Sequence, residues 1–121
     1  MLSAPKIEHY RSIIEQRLSE TLRALEMADA ADAGIVQLDQ TRVGRLSRMD
    51  AMQQQAMSQS LKARLVQHQR RLEAALARIR AGSFGVCCGC DDELDEERLE
   101  TEPAAPFCAD CQDEIEAKRQ R

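Results

Sequence analysis

Two pairs of cysteines, Cys87-x-x-Cys90 and Cys108-x-x-Cys111, stand in the last third of this 121-residue chain. Each such turn presents two sulfurs to one ion, so together they supply the four soft donors of a tetrahedral zinc site. With all four positions filled by protein, no place remains for a reactive water. The chemistry expected is therefore structural, with one zinc ion held by Cys87, Cys90, Cys108 and Cys111. A dithiol oxidoreductase built on Cys87 and Cys90 is the poorer reading, because it leaves the matched second pair without a role. Cys88 sits between the first two ligands and cannot share their geometry. It reads as a small, partly exposed side chain, and the sharper alternative is a redox handle beside the metal.

The elements that must position this site read as helices. Two phenylalanines, one tyrosine and no tryptophan are too few aromatics for a ball-shaped core, whereas Leu, Ala, Arg, Gln and Glu dominate the first two thirds. Ile7, Ile14, Leu18, Leu22 and Leu25 trace one helical stripe. A second runs through Leu61, Leu65, His68, Leu72, Ala75, Leu76 and Ile79 at heptad spacing, and continues less cleanly back through Met57 to Asp50. Gly34 is expected to break the first helix, and Ser47 with Asp50 three residues on reads as the start of the second. Gly82 closes that helix, and Ser83-Phe84-Gly85 form a neck into the cysteine module.

Two helices with one narrow apolar stripe each are best buried seam against seam. The fold class expected is mostly α: an antiparallel two-helix coiled-coil hairpin over residues 1–81, its tip at about 29–50, followed by a small four-cysteine zinc finger over 82–121 with a short C-terminal helix. A second helix from Ser47 to Ala81 reaches ~50 Å, so a rod with a zinc knob is expected. The competing arrangement, a dimeric coiled coil without a hairpin, is disfavoured by Gly34 and Gly44.

The net charge of −4 divides unevenly: residues 1–81 carry +4 and residues 82–121 carry −8. An acidic finger is repelled by phosphates, so direct DNA binding through it is not expected. No apolar run approaches the ~20 residues of a membrane span. A cytoplasmic protein is expected, in which a reducing environment favours metal ligation over disulfides.

The neck and finger, Ser83-Phe84-Gly85-Val86-Cys87, Glu93-Leu94, Arg98-Leu99-Glu100, Pro103 and Phe107-Cys108-Ala109-Asp110-Cys111, resemble the DksA/TraR zinc-finger family. His9-Tyr10-Arg11 and Ile13-Ile14-Glu15 are similar to the opening of that family's coiled coil. The resemblance implies a bacterial transcription regulator, not an enzyme. Such a protein binds RNA polymerase without binding DNA and enters the secondary channel so that its tip modulates promoter-complex stability. A zinc-stabilised structural or adaptor module is the alternative.

Two departures from the family stand out. Its tip carries Asp-x-x-Asp-x-Ala, but a gapless count from Phe84 places Gly44, Ser47 and Met49 at those positions. Asp39 or Asp50 could replace the acidic pair. The tip contacts expected are Asp39, Arg42, Arg45, Ser47, Arg48 and Asp50, the arginines because polymerase channels are acidic. The second departure concerns ppGpp, which some members bind with basic side chains. Arg71 keeps one such position, while Glu102 and Gln112 occupy two others. A carboxylate facing a polyphosphate repels it, so ppGpp synergy is expected to be weak or absent. Met49, Met52 and Met57 read either as adaptable seam filler or as a pliable contact surface. His68 reads as a seam residue, and His9 and Tyr10 as packing near the zinc module.

Overall fold

A computed structural model describes residues 2–41 and 45–120, with side chains described outside 32–47. Four helices follow in order: α1 (Ala4–Thr41), α2 (Arg45–Ala81), α3 (Glu96–Thr101) and α4 (Ala109–Arg119). The first two form the antiparallel hairpin, and the remaining chain forms the finger with its short C-terminal helix.

Local chemistry sets these ends. Ser3 caps α1, its hydroxyl accepting from the Lys6 amide at 3.4 Å and its carbonyl from the Ile7 amide at 3.0 Å. Pro5 sits in the first turn, where a missing N–H costs nothing. At the far end of α2, Gly82 adopts φ 78°, and the amides of Gly82 and Ser83 donate back to the Ile79 and Arg78 carbonyls. This paired closure needs a left-handed residue, which glycine adopts without steric cost.

Four expectations are corrected. Gly34 does not end α1, which runs on to Thr41. One glycine costs a helix only about 1 kcal/mol, and Ala28, Ala30, Ala31 and Ala33 around it are strong helix formers. Ser47 does not begin α2, since the helix is already formed at Arg45. The seam of α2 is also displaced by one residue in its first half. Leu61 and His68 are exposed, whereas Lys62, Leu65 and Gln69 are half-buried. Leu65, Leu72 and Ile79 belong to both rows, so periodicity alone could not choose between them. On α1, Leu22 lies outside the seam, which passes instead through Thr21 and Ala28.

The chain forms two compact units. One joins Met1–Leu18 to Arg71–Arg121. Its core consists of Tyr10 and Ile14 from α1, Leu72, Ala75 and Ile79 from α2, and Phe84, Cys87, Leu94, Leu99 and Ala104 from the finger. Tyr10 and Phe84 pack with ring centroids 5.9 Å apart at 48°, and His9 lies against the Tyr10 ring. Burial against this core raises the Tyr10 pKa, with the Glu100 and Glu96 carboxylates adding to the effect. The other unit, Ser19–Arg70, has a thin seam in which Thr21, Ala28 and Ala51 are buried and Lys62 pairs with Asp29 at 2.9 Å.

Candidate metal centre

The four sulfurs of Cys87, Cys90, Cys108 and Cys111 lie within 4.8 Å of one another. Those of Cys90 and Cys108 are 3.8 Å apart. A tetrahedron with Zn–S bonds of ~2.3 Å has sulfurs about 3.8 Å apart, so the cluster has the size of one zinc ion with four thiolates.

Each knuckle is built by its backbone. In the first, the Asp91 amide donates to the Cys87 carbonyl and the Cys87 amide to the Asp92 carbonyl, at 3.0 and 2.8 Å. An antiparallel bridge between Val86 and Glu93 closes the loop, and Asp91 takes φ 63° to make the turn. Gly89 keeps the cluster open, because a Cβ there would lie 3.2 Å from the Cys111 sulfur. In the second knuckle, Cys108 is the N-cap of α4 and its sulfur accepts from the Cys111 amide at 3.4 Å.

The sulfurs have unequal surroundings. Cys87 is fully buried and accepts from the amides of Cys108 and Gly89, both at 3.3 Å. These donors, that of Cys108 foremost, stabilise its thiolate and bring the pKa down to about 6. Cys111 moves the other way. Hydrogen bonding with the Cys108 sulfur, then with Cys87 and Cys90, raises its pKa well above that of a free thiol. Four thiols this close cannot all ionise against one another, and a divalent cation reverses that repulsion. The donor set, spacing and charge requirement all fit a single structural zinc. Cys88 lies outside the cluster, with its side chain exposed and its amide on the Pro106 carbonyl at 2.8 Å.

The finger is fastened to the base of the hairpin by contacts absent from the motif. Arg98 Nε donates to the Phe107 carbonyl at 2.7 Å, and an Arg78 guanidinium nitrogen reaches the Ala104 carbonyl at 3.5 Å. Beside these anchors Pro103, Ala104 and Ala105 are buried. Pro103 and Pro106 could have signalled a fixed loop, but nothing in the spacing named the arginines as its partners. Lys6 also bonds Glu96, and that carboxylate raises the Lys6 pKa.

A polar groove of about 380 Å³ is lined by Arg71, Arg98, Glu102, Gln112, Asp113 and Glu116 among others. Arg71, Glu102 and Gln112 are thus brought together, with Arg71 3.5 Å from Glu102. Of the expected tip residues, the side chains of Arg48 and Asp50 are described. Arg48 and Asp50 are exposed near the start of α2. Arg42 and the side chains of Asp39, Arg45 and Ser47 lie outside the described residues.

The profile of the prokaryotic DksA/TraR C4-type zinc finger matches residues 82–117. An uncharacterised protein of Aquifex aeolicus (strain VF5) is 38% identical over 47 residues, which are 39% of this chain and 32% of that protein. The match thus spans about a third of that relative's length. Among solved structures, that of transcription factor DksA2 from Pseudomonas aeruginosa is similar with a TM-score of 0.82. It covers 98% of this chain and 89% of its own at 15% identity, a likeness of fold. Residues 82–117 thus carry a zinc finger of the DksA/TraR C4 type, and the chain shares the fold of DksA2 over nearly its whole length.

Proposed function

We propose that this regulator binds bacterial RNA polymerase directly, with its coiled-coil hairpin in the secondary channel and its tip altering the stability of promoter complexes. The observation that carries this reading is the likeness of fold to a transcription factor over 98% of the chain. Residues 1–81 serve as the probing element and residues 82–121 as the zinc-stiffened base, with contacts at the tip from Asp39, Arg42, Arg45, Ser47, Arg48 and Asp50.

The charge distribution supports action without DNA. Asp91, Asp92, Glu93, Asp95, Glu96, Glu97 and Glu100 are all exposed on the finger, where a phosphate backbone would be repelled. The groove of Arg71 supports weak or absent synergy with ppGpp. Glu102 already neutralises Arg71, and Asp113 and Glu116 add further negative charge. The protein acts in the cytoplasm as a non-catalytic regulator. Consistent with this, no described helix is long and apolar enough to cross a membrane.

The test is retention of core RNA polymerase by the zinc-loaded protein, followed by competition with a ligand of the secondary channel. Binding that the competitor displaces is expected. No binding, or binding indifferent to the competitor, sinks the reading and leaves the adaptor alternative. Adding ppGpp should change the affinity less than about twofold, since the groove offers no net positive charge to it.

A further inference from the structure

We infer that the stem, Ser19–Arg70, opens and recloses as a cooperative piece of its own while the base, Met1–Leu18 with Arg71–Arg121, stays folded.

Chain connectivity allows this. The stem is one inserted segment, leaving the base after Leu18 and returning to it at Arg71. Every residue of the buried core cluster, from Tyr10 and Ile14 through Leu72, Ala75 and Ile79 to the finger, lies outside that segment. So do the partly buried Leu2, Ile7, Leu18 and Leu76 packed against it. Melting the stem therefore takes no side chain from the core in which Cys87 is buried. The base also keeps hold of both ends of the opened segment, so reclosure does not require them to find each other again.

Burial is divided just as unequally. The largest fully buried side chains, Ile14, Leu72, Leu99, Pro103 and Cys87, all belong to the base. Among the described residues of the stem, those buried are Thr21, Ala28 and Ala51, while Leu25, Leu65 and Val66 are half-buried. Its other described large apolar side chains, Leu22, Met27, Met49, Met52, Met57 and Leu61, are exposed, so the methionines are not seam filler. Lys62 takes a seam position and is met there by Asp29, a carboxylate 71% exposed. An ion pair so open to water stabilises little. Ordering costs entropy at every residue, whereas the offsetting burial here comes mainly from small side chains, and a two-helix pair without a packed seam is marginal in water. Segments of this kind open well below the free energy of global unfolding. A partner that grips the closed stem then enlarges a population already present in the free protein.

The test is amide hydrogen exchange of the full zinc-loaded chain, read by NMR under conditions in which each opening equilibrates before exchange. Amides of residues 19–31 and 48–70 should exchange about 100-fold or more faster than the slowest amides of residues 7–14 and 72–79. In low urea the stem amides should merge into one common, urea-dependent rate, the sign of a single opening that exposes surface. Separate rates that ignore urea would mean residue-by-residue fraying and would overturn the cooperative opening. Ile14→Val then distinguishes one unfolding piece from two. It weakens the base equally in the closed and the stem-open molecule, so stem amides should keep the parental rate within about 1.5-fold while base amides exchange roughly 2- to 10-fold faster. Ile79→Val, on the other helix of the base, should give the same pattern. If these variants accelerate stem and base by one common factor, or if the parent shows one rate for both, the chain unfolds as a single piece and the inference is overturned.

Discussion

Replacing Leu99 by alanine should strip zinc from the finger although Leu99 is not a ligand. Helix α3 has six residues, and Leu99 is the buried one through which it joins the cluster containing Cys87. Both side chains have no exposed surface. Deleting three buried carbons from a packed site costs about 2–5 kcal/mol, the upper part applying where the surroundings cannot collapse. Here Pro103 and the buried alanines beside it are held by Arg78 and Arg98, so collapse is resisted. In a small zinc module the free energy of binding metal is also the free energy of folding. A loss of about 3 kcal/mol in the folded finger therefore appears as a zinc affinity weakened by roughly 100-fold or more. The assay is competition for zinc against a chromophoric chelator at pH 7, with Glu97→Ala on the exposed side of the same helix as control. Leu99→Ala should yield its metal at a far lower chelator concentration, while Glu97→Ala matches the parent. An affinity within threefold of the parent would refute the coupling between this core and the metal.

Other outcomes follow from the same geometry. Cys108→Ser should hold no zinc and Cys88→Ser one ion per chain, measured by atomic emission after gel filtration, because the Cys88 side chain lies outside the cluster. Gly85 adopts φ 89°, and a Cβ there would meet the Leu2 side chain at 2.9 Å. Gly85→Ala should lower the melting midpoint by an amount equivalent to about 1–2 kcal/mol of backbone strain, and Leu2→Ala in the same chain should not restore it, since a side chain can move but φ cannot. The amide of Cys108 foremost brings the Cys87 thiol down from the ordinary 9.0 to about 6. Its contribution to the folded finger is therefore complete above pH 9 and lost as the pH falls through 6. Because binding metal also folds the finger, calorimetry in buffers of different ionisation heat should find about four protons released per zinc at pH 6, one from each thiol of the unfolded finger; release of two or fewer would contradict a four-thiolate site.

The zinc site was legible because metal ligation depends on residue type and short spacing. Cys-x-x-Cys brings two sulfurs together by local turn geometry, and two such turns leave little choice of chemistry. The helical hairpin was legible for a similar reason, since apolar rows at steps of three and four bury themselves only against another row. Helix ends were less legible. Ser47 and Gly34 carry local signals that weigh about 1 kcal/mol each, and neighbouring residues outvoted both.

The amino-acid order alone thus determined which four atoms hold the metal, that the remaining chain is helical, and that the finger is acidic. The tertiary structure decided which of two adjacent rows on α2 faces α1, placing Lys62 inward beside Asp29 and leaving Leu61 outside. It also decided that the core around Cys87 is shared between finger and hairpin, through residues as far apart as Tyr10, Leu72 and Leu99. The physical reason is range. Ligand turns and helical rows follow from residues within one or two turns of each other, whereas register and shared burial depend on the total free energy of contacts between distant segments, which no local pattern records.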